Sequence, residues 1–476
     1  MSEFSKLISD IGYDLKSHQI KTYNWCKKQE MGFLGSNGKL KGGGLLCDDM
    51  GLGKTLMMLS CICLNPKDFN LIVVPTILIQ QWKKAVEKIA EIKPLIFHGA
   101  ESKGKSIEDI KEYEVVITTY GMIGTRGGNG SRIGWSSPLW NIEWGRVIFD
   151  EAHHMRNEKS NSRKGALKLK SDIKWLVSGT PIQNRWNDII SIMYLLPHPE
   201  AKLLFNDSKN YNIDEQLMFI AEHSRGKTKE EVGINMPGMV ETVIRVPFEG
   251  QEEEIAKDVH SIFHFAGVTK KQIHKMIKGM GESVLPFLTR AKQVCVCPSI
   301  LNKCDITDLE EKDKINFNRI NHSKINKVSE TLLSSPKKDK KIIFCSFREE
   351  IEYYFHFFTK KGYKTAYIHG GVSQKNRNLL LTTSILDILI IQIKSGNEGL
   401  NLQQYNEIYF TSPHWNPAVE SQAVCRAYRI GQKKPVRIYK FYSAFSRANK
   451  DLKTIDEYCM DIQNLKKEIA GWVKKT

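Results

Sequence analysis

No apolar run in this chain reaches the ~18 residues needed to cross a bilayer. The longest candidates, such as Leu71-Ile72-Val73-Val74, have the length of buried strands. The opening Met1-Ser2-Glu3-Phe4-Ser5-Lys6 lacks the basic-then-apolar layout of a secretory leader. These absences point to an intracellular protein with no membrane partner. No pair of cysteines stands in CxxC spacing. The ten cysteines are scattered, several inside apolar runs (Cys61, Cys63, Cys345), as in a reducing compartment. Cys295, Cys297 and Cys304 form the one cluster worth weighing for zinc, but without a paired spacing or fourth ligand core packing is the better reading. Acidic residues are in deficit, 53 against 70 Lys+Arg, for a formal net charge of +17. Such an excess draws a polyanion, without saying whether it is DNA, RNA or an acidic membrane. Neither a short-period repeat nor a long disordered tail is present.

What is present is enough for folded cores: 41% hydrophobic residues among 476, a length that suits two to four domains. Over residues 41–200, short apolar runs alternate with helical patterns. Leu71 to Val74, Val115 to Thr118, Val147 to Phe149 and Trp175 to Val177 read as fully buried strands of a parallel sheet. A second set follows near residue 341: Ile342 to Phe344, Ala366 to Ile368, Ile388 to Ile391, Ile408 to Phe410 and Val436 to Tyr439. Residues 200–322 have more helical spacing. There Lys270, Lys271, His274, Lys275 and Lys278 share one helical face, either a phosphate-tracking stripe or a solvated surface. The glycine-rich stretch 121–144 reads as a long loop.

The strongest local signal is Asp48-Asp49-Met50-Gly51-Leu52-Gly53-Lys54-Thr55, between a strand pattern and a helix pattern. Gly51 and Gly53 let the backbone curl so that its N–H groups face phosphates, and the next helix adds its positive end. Lys54 suits the β- and γ-phosphates of ATP and the Thr55 hydroxyl suits Mg²⁺. Asp48 is a departure, since the strict pattern has glycine there. Roughly a hundred residues later, a buried strand pattern ends in Asp150-Glu151-Ala152-His153-His154. A carboxylate pair at a strand's C-terminal end is placed to hold Mg²⁺ (Asp150) and to orient the attacking water (Glu151). A helix N-cap is the alternative reading of such a pair.

In this order, the phosphate loop and the Asp-Glu-Ala-His box resemble superfamily-two helicase ATPases, and in detail their Swi/Snf-type branch. Val74-Pro75-Thr76 with Gln81-Trp82 resembles motif Ia, Ile117-Thr118-Thr119-Tyr120 motif Ib, and Ser178-Gly179-Thr180-Pro181-Ile182-Gln183-Asn184 motif III. Ile342 to Phe347 looks like motif IV and Ser395-Gly396-Asn397-Glu398-Gly399-Leu400 like motif V. Trp415-Asn416-Pro417 and Gln422 to Gln432, ending Arg429-Ile430-Gly431-Gln432, resemble the signature end of the branch. Cys425 and Tyr428 stand where many relatives have Asp and His. The compactness of the chain is similar to members encoded by large DNA viruses.

The resemblance implies two tandem RecA-like α/β lobes of parallel sheet with a helical insertion: residues 1–199, 200–322 and 323–476. It implies an ATP site of Gln19, Asp49, Met50, Gly51, Leu52, Gly53, Lys54, Thr55 and Gly399, with Thr55 and Asp150 on Mg²⁺. Glu151 would be the catalytic carboxylate. Arg426 and Arg429 would be arginine fingers, three apart and so on one helical face. Thr76, Thr119 and Trp415 resemble positions near DNA or its coupling to ATP. The implied activity is translocation on double-stranded DNA, displacing nucleosomes or other bound proteins, in the nucleus or wherever DNA is handled. A strand-separating helicase and a non-catalytic nucleic-acid scaffold are the alternatives.

Overall fold

The computed structural model describes residues 2–34, 38, 40–125, 137–181, 186–206, 212–261, 285–303, 321–372, 376–377, 379–380, 385–393, 400–446 and 453–473. The chain divides into two compact units, Met1–Asn235 with Glu468–Thr476, and Met236–Lys467.

The first unit is built on a sheet of eight described strands. They are β1 (Phe33–Leu34), β2 (Leu40–Leu46), β3 (Asn70–Val74), β4 (Leu95–Phe97), β5 (Val115–Thr119), β6 (Glu143–Asp150), β7 (Lys170–Val177) and β8 (Ser224–Arg225). Their order is β1-β2-β7-β6-β3-β5-β4, with β8 alongside β2. All pairings are parallel except β1 with β2. The inner strands are buried on both faces, as their unbroken Leu-Ile-Val-Val and Val-Ile-Phe runs require. Helices α1 (Glu3–Asp10), α2 (Ser17–Met31), α3 (Lys54–Leu64) and α4 (Ile79–Ile89) contribute to one of the two cores. α4 buries Ile79, Trp82, Val86 and Ile89, a three-four spacing that gives one apolar stripe.

α2 is anchored by a buried ion pair. Glu30 accepts from Arg146 Nε and Nη2 at 2.7 Å each, from Trp175 Nε1 at 2.8 Å and from Asn65 Nδ2 at 2.6 Å. Both charges are wholly buried, and the bidentate geometry with two further donors on the carboxylate offsets their desolvation. The helix is thereby fixed to β6, the strand that ends in Asp150.

The second unit carries a wholly parallel sheet in the order β11-β12-β10-β13-β14-β9. Its strands are β9 (Met239–Pro247), β10 (Lys341–Cys345), β11 (Thr365–Ile368), β12 (Ile388–Gln392), β13 (Glu407–Phe410) and β14 (Val436–Ala444).

The described part of 200–322 differs from the expected separate insertion. Ser224–Arg225 completes the first sheet, and Met239–Pro247 pairs with β14 along nine residues of the second. Backbone hydrogen bonding, which the helical spacing of this region did not show, assigns these segments to the two sheets. The basic face at 270–278 lies outside the described residues, as do residues 126–136 of the glycine-rich stretch, Cys304 and Gly399. Cys295 and Cys297 are buried; Cys297 Sγ lies 2.8 Å from Ser299 Oγ and 3.3 Å from His322 Nδ1. Among the described residues no group of three or more His, Cys, Asp or Glu could hold a metal ion, and no helix is long and apolar enough to cross a membrane.

Candidate active site

Parallel register brings the motifs of the first unit into one row. Leu46 of β2 pairs with Val177 of β7, which pairs with Asp150 of β6. Phe149 pairs with Val73 of β3, and Val74 with Thr119 of β5. Five neighbouring strands therefore end together, and all their motif residues leave the carboxyl edge of the sheet, where open α/β folds place ligands. The row runs phosphate loop, Ser178-Gly179-Thr180, Asp150-Glu151, Pro75-Thr76, Thr119-Tyr120.

The phosphate loop follows β2. Gly51 and Gly53 both have φ of +94°, a left-handed conformation that needs glycine, and Gly53 sits at the cap of α3. Lys54 Nζ donates to the carbonyls of Asp48 at 2.7 Å and Asp49 at 3.3 Å. Thr55 follows it in the first turn of α3, half-buried. Gly179 lies close by: a Cβ there would stand 3.2 Å from Met50 Cγ and 3.4 Å from Lys54 Nζ. Half-buried Gln19, near the start of α2, accepts from Lys16 N at 3.1 Å, a bond of the helix start. It also lies over the loop, its Nε2 3.2 Å from where a Gly53 Cβ would be.

Asp48 finds a structural reason. Its buried carboxylate accepts the Lys227 N–H at 2.9 Å, while Asp49 N donates to Lys227 O at 2.8 Å and Cys47 N to Arg225 O at 2.7 Å. The loop is thus braced by the chain after β8, a partner some 180 residues away that the motif does not reveal. Burial raises the Asp48 carboxyl above its ordinary value, with Lys54 and Arg225 opposing.

Asp150 is 9% exposed. Its Oδ2 accepts from Trp82 Nε1 at 2.7 Å, its Oδ1 from Glu151 N at 3.0 Å, and its carbonyl from the Tyr120 hydroxyl at 2.6 Å. Burial first, then the Glu151 carboxylate beside it, raises the Asp150 carboxyl above its ordinary value, with Trp82 and Lys54 opposing. A divalent cation would reverse that logic, and the hard oxygens of Asp150 and Thr55 are a donor set suited to magnesium.

Glu151 has φ of 52°, rare for a residue with a side chain. The neighbouring His153 Nδ1 lies 3.3 Å from Glu151 Oε2 and 3.1 Å from Ser178 Oγ. Burial holds His153 down at about 3 and His154 at about 4, so both rings are neutral at pH 7. The contact to Glu151 is accordingly that of a neutral ring, not an ion pair. Trp82, Tyr120, His153 and Ser178 are functional candidates whose roles only the folded contacts reveal; each stood inside a motif without a role of its own.

Of the residues expected near DNA, Thr76 is exposed, but Thr119 is not. Thr119 is 3% exposed and its hydroxyl lies 3.3 Å from His98 Nδ1. Half-buried His98, just past β4, is its neighbour there.

In the second unit Arg426 closes the helix Pro417–Ala427. Arg429 lies past the helix end, in a turn, so the two arginines do not share a helical face as their spacing suggested. Burial, then the charge of Arg426, lowers the Arg429 pKa from its ordinary value. Gln432 holds that turn: its Nε2 donates to the carbonyls of Gln403 and Tyr405 at 2.9 Å and of Ala427 at 3.2 Å, and its Oε1 accepts from Lys433 N and Lys434 N. Trp415 is half-buried, with Lys292 Nζ 5.3 Å from its ring centroid and Tyr458 edge-on.

Comparison with known proteins identifies the family. Residues 18–300 match the SNF2-related domain and residues 323–431 the helicase conserved C-terminal domain. The chain is 28% identical to a probable global transactivator of Orgyia pseudotsugata multicapsid polyhedrosis virus, over 90% of this chain and 86% of that one. It is 26% identical to the putative ATP-dependent helicase/translocase YwqA of Bacillus subtilis, and 23% to transcription termination factor 2 of Drosophila melanogaster, spanning 46% and 57% of their lengths. The solved Sulfolobus solfataricus SWI2/SNF2 ATPase core in complex with dsDNA aligns over 97% of this chain at 23% identity and a TM-score of 0.41. With the family domain matched over more than half of its length and the nucleotide motifs in one row, the chain belongs to the SNF2-related family of helicase-like ATPases.

Proposed function

We propose that this protein is an ATP-driven translocase on double-stranded DNA. The observation that carries the reading is the single row of strand ends, which sets the nucleotide motifs beside the two elements that begin at Thr76 and follow Thr119. A change at Asp150 and Glu151 is thereby one strand away from a surface able to meet a DNA backbone. The positive balance of +17 supports the polyanionic track. Phosphate contacts position without reading bases, so little sequence preference is expected.

Within this reading Lys54 and the loop N–H groups hold the β- and γ-phosphates, and Gln19 faces the adenine. Thr55 and Asp150 would hold Mg²⁺, which supplies charge neutralisation when bound. Glu151 orients and deprotonates the attacking water, and Arg426 and Arg429 bring positive charge to the γ-phosphate. Trp415 and Thr76 are proposed to lie near DNA. Loss of the γ-phosphate removes a ligand that favours one arrangement of the protein, and this differential affinity is what converts hydrolysis into steps. Proteins bound to the duplex, nucleosomes among them, would be the load, at sites of DNA transactions.

ATPase rates measured with no nucleic acid, single strand, duplex and RNA test the proposal. Duplex is expected to stimulate most, and a triplex-forming strand to be displaced while a forked duplex stays paired. Greater stimulation by single strand or RNA, with unwinding, would establish the strand-separating helicase instead. No hydrolysis under any condition would leave a binding scaffold.

A further inference from the structure

Two aromatic side chains converge on Asp150, and each belongs to an element that starts at the proposed DNA face. Exposed Thr76 opens the short turn Thr76–Leu78, which leads directly into α4. Trp82 of α4 is wholly buried, and its indole N–H is spent on the Asp150 carboxylate at 2.7 Å. Tyr120 directly follows Thr119 and lies against the end of β6. Its hydroxyl donates to the Asp150 carbonyl at 2.6 Å, and its ring stacks on His154 with centroids 5.1 Å apart. His154 stacks in turn on His153 at 5.0 Å, and His153 lies 3.3 Å from the Glu151 carboxylate.

The dipeptide Asp150-Glu151 is therefore gripped from both arms: side chain by Trp82, backbone by Tyr120, and the Glu151 carboxylate by a stack that begins at Tyr120. Among the described residues Glu151 is one of three side-chain-bearing residues at positive φ, a conformation that persists only when its surroundings over-determine it.

We propose that Trp82 and Tyr120 are positioning residues that transmit engagement of duplex DNA, at Thr76 and at the His98–Thr119 strand end, to Asp150 and Glu151. The inference rests on the translocase reading. DNA stimulation of hydrolysis is, in these terms, the alignment of two carboxylates by two hydrogen bonds. Both aromatics are buried, so each acts by orienting Asp150 and Glu151 rather than by meeting a ligand itself.

The test uses the full chain with Tyr120→Phe and Trp82→Phe, each of which keeps a ring and deletes a donor. The readouts are ATPase rate against duplex and Mg²⁺ concentration, and duplex affinity by fluorescence anisotropy. Tyr120→Phe is expected to lower the duplex-stimulated kcat by about tenfold or more. Its duplex Kd and its KM for ATP should stay within about twofold, a split that loss of folding would not produce. Trp82→Phe is expected to raise the Mg²⁺ needed for half-maximal rate by about fivefold or more. Should Trp82→Phe fail to fold, Tyr120→Phe alone decides. Duplex stimulation of Tyr120→Phe equal to that of the parent, or an equal fall in kcat and duplex affinity, would overturn the inference while leaving the translocase reading intact. A parent enzyme that duplex does not stimulate would overturn both.

Discussion

Gly179 shows how much a single atom decides at this site. The residue has ordinary backbone angles, so its being glycine is a matter of space rather than of φ. The space a methyl group would take is bounded by Met50 and by the ammonium of Lys54, at 3.2 and 3.4 Å. Gly179→Ala would have to push Met50 aside by a few tenths of an ångström, with the methyl in ordinary contact with the Lys54 ammonium. Met50 belongs to the loop whose carbonyls hold Lys54, so the shift falls on the loop itself. The expected outcome is a fall in kcat/KM for ATP of about tenfold or more, with thermal unfolding shifted by less than ~1 kcal/mol equivalent. Steady-state kinetics beside a melting curve check it, and an alanine variant with normal kinetics would show that the loop accommodates the methyl. The same contact explains why Gly179 could be read as part of a motif but not given a role: its neighbour Met50 is 129 positions away in the chain.

Among the elements, β7 is the one whose chemistry is least expected. Its burial pattern encloses Lys174, 7% exposed, within the sheet's core. Burial, with the charge of Lys202 added, brings the Lys174 ammonium down to about 7 from the usual 10.5. Between those two values the unfolded chain holds the proton and the folded chain does not. Folding then releases a proton, and stability rises with pH across that window. The slope is on the order of 1 kcal/mol per pH unit. Lys174→Met should stabilise the first unit near pH 7 and flatten this dependence from neutral to alkaline pH, measurable by urea melts at several pH values. An unchanged slope would place the Lys174 charge in solvent. Elements differ in how far the sequence exposes them. The inner strands of both sheets were legible because burial on two faces writes continuous Val, Ile and Leu runs. β8 is two residues long, and β9 leaves Met239, Val240 and Val243 exposed, so neither carries such a run. Only hydrogen bonding to distant strands makes them part of a sheet. The phosphate loop and the Asp-Glu box were legible as local patterns. Their supports were not, because Lys227, Trp82, Tyr120 and the Glu30–Arg146 pair meet them across long sequence separations.

At the scale of the whole molecule the governing quantity is charge. Seventy Lys+Arg against 53 Asp+Glu leave +17, and several acidic groups are consumed internally. Glu30 is taken up by Arg146, Asp456 by Lys324 and Glu407 by Lys341, with partly exposed Arg437 also on Glu407. The three buried pairs each cancel internally, so the excess of positive charge rests on the remaining groups. If that excess holds a duplex through its phosphates, each neutralised phosphate contributes about −0.9 to the slope of log K against log salt. Three or more such contacts give a slope near −3 or steeper, a loss of about fiftyfold or more between 50 and 200 mM salt. Hydrolysis without nucleic acid lacks this counterion term and should change little over the same range. Duplex titrations at several salt concentrations, beside the DNA-free ATPase rate, separate the two. A flat binding slope would mean that the positive balance serves some partner other than a phosphate backbone, and the proposed track would have to be abandoned even if the ATPase were intact.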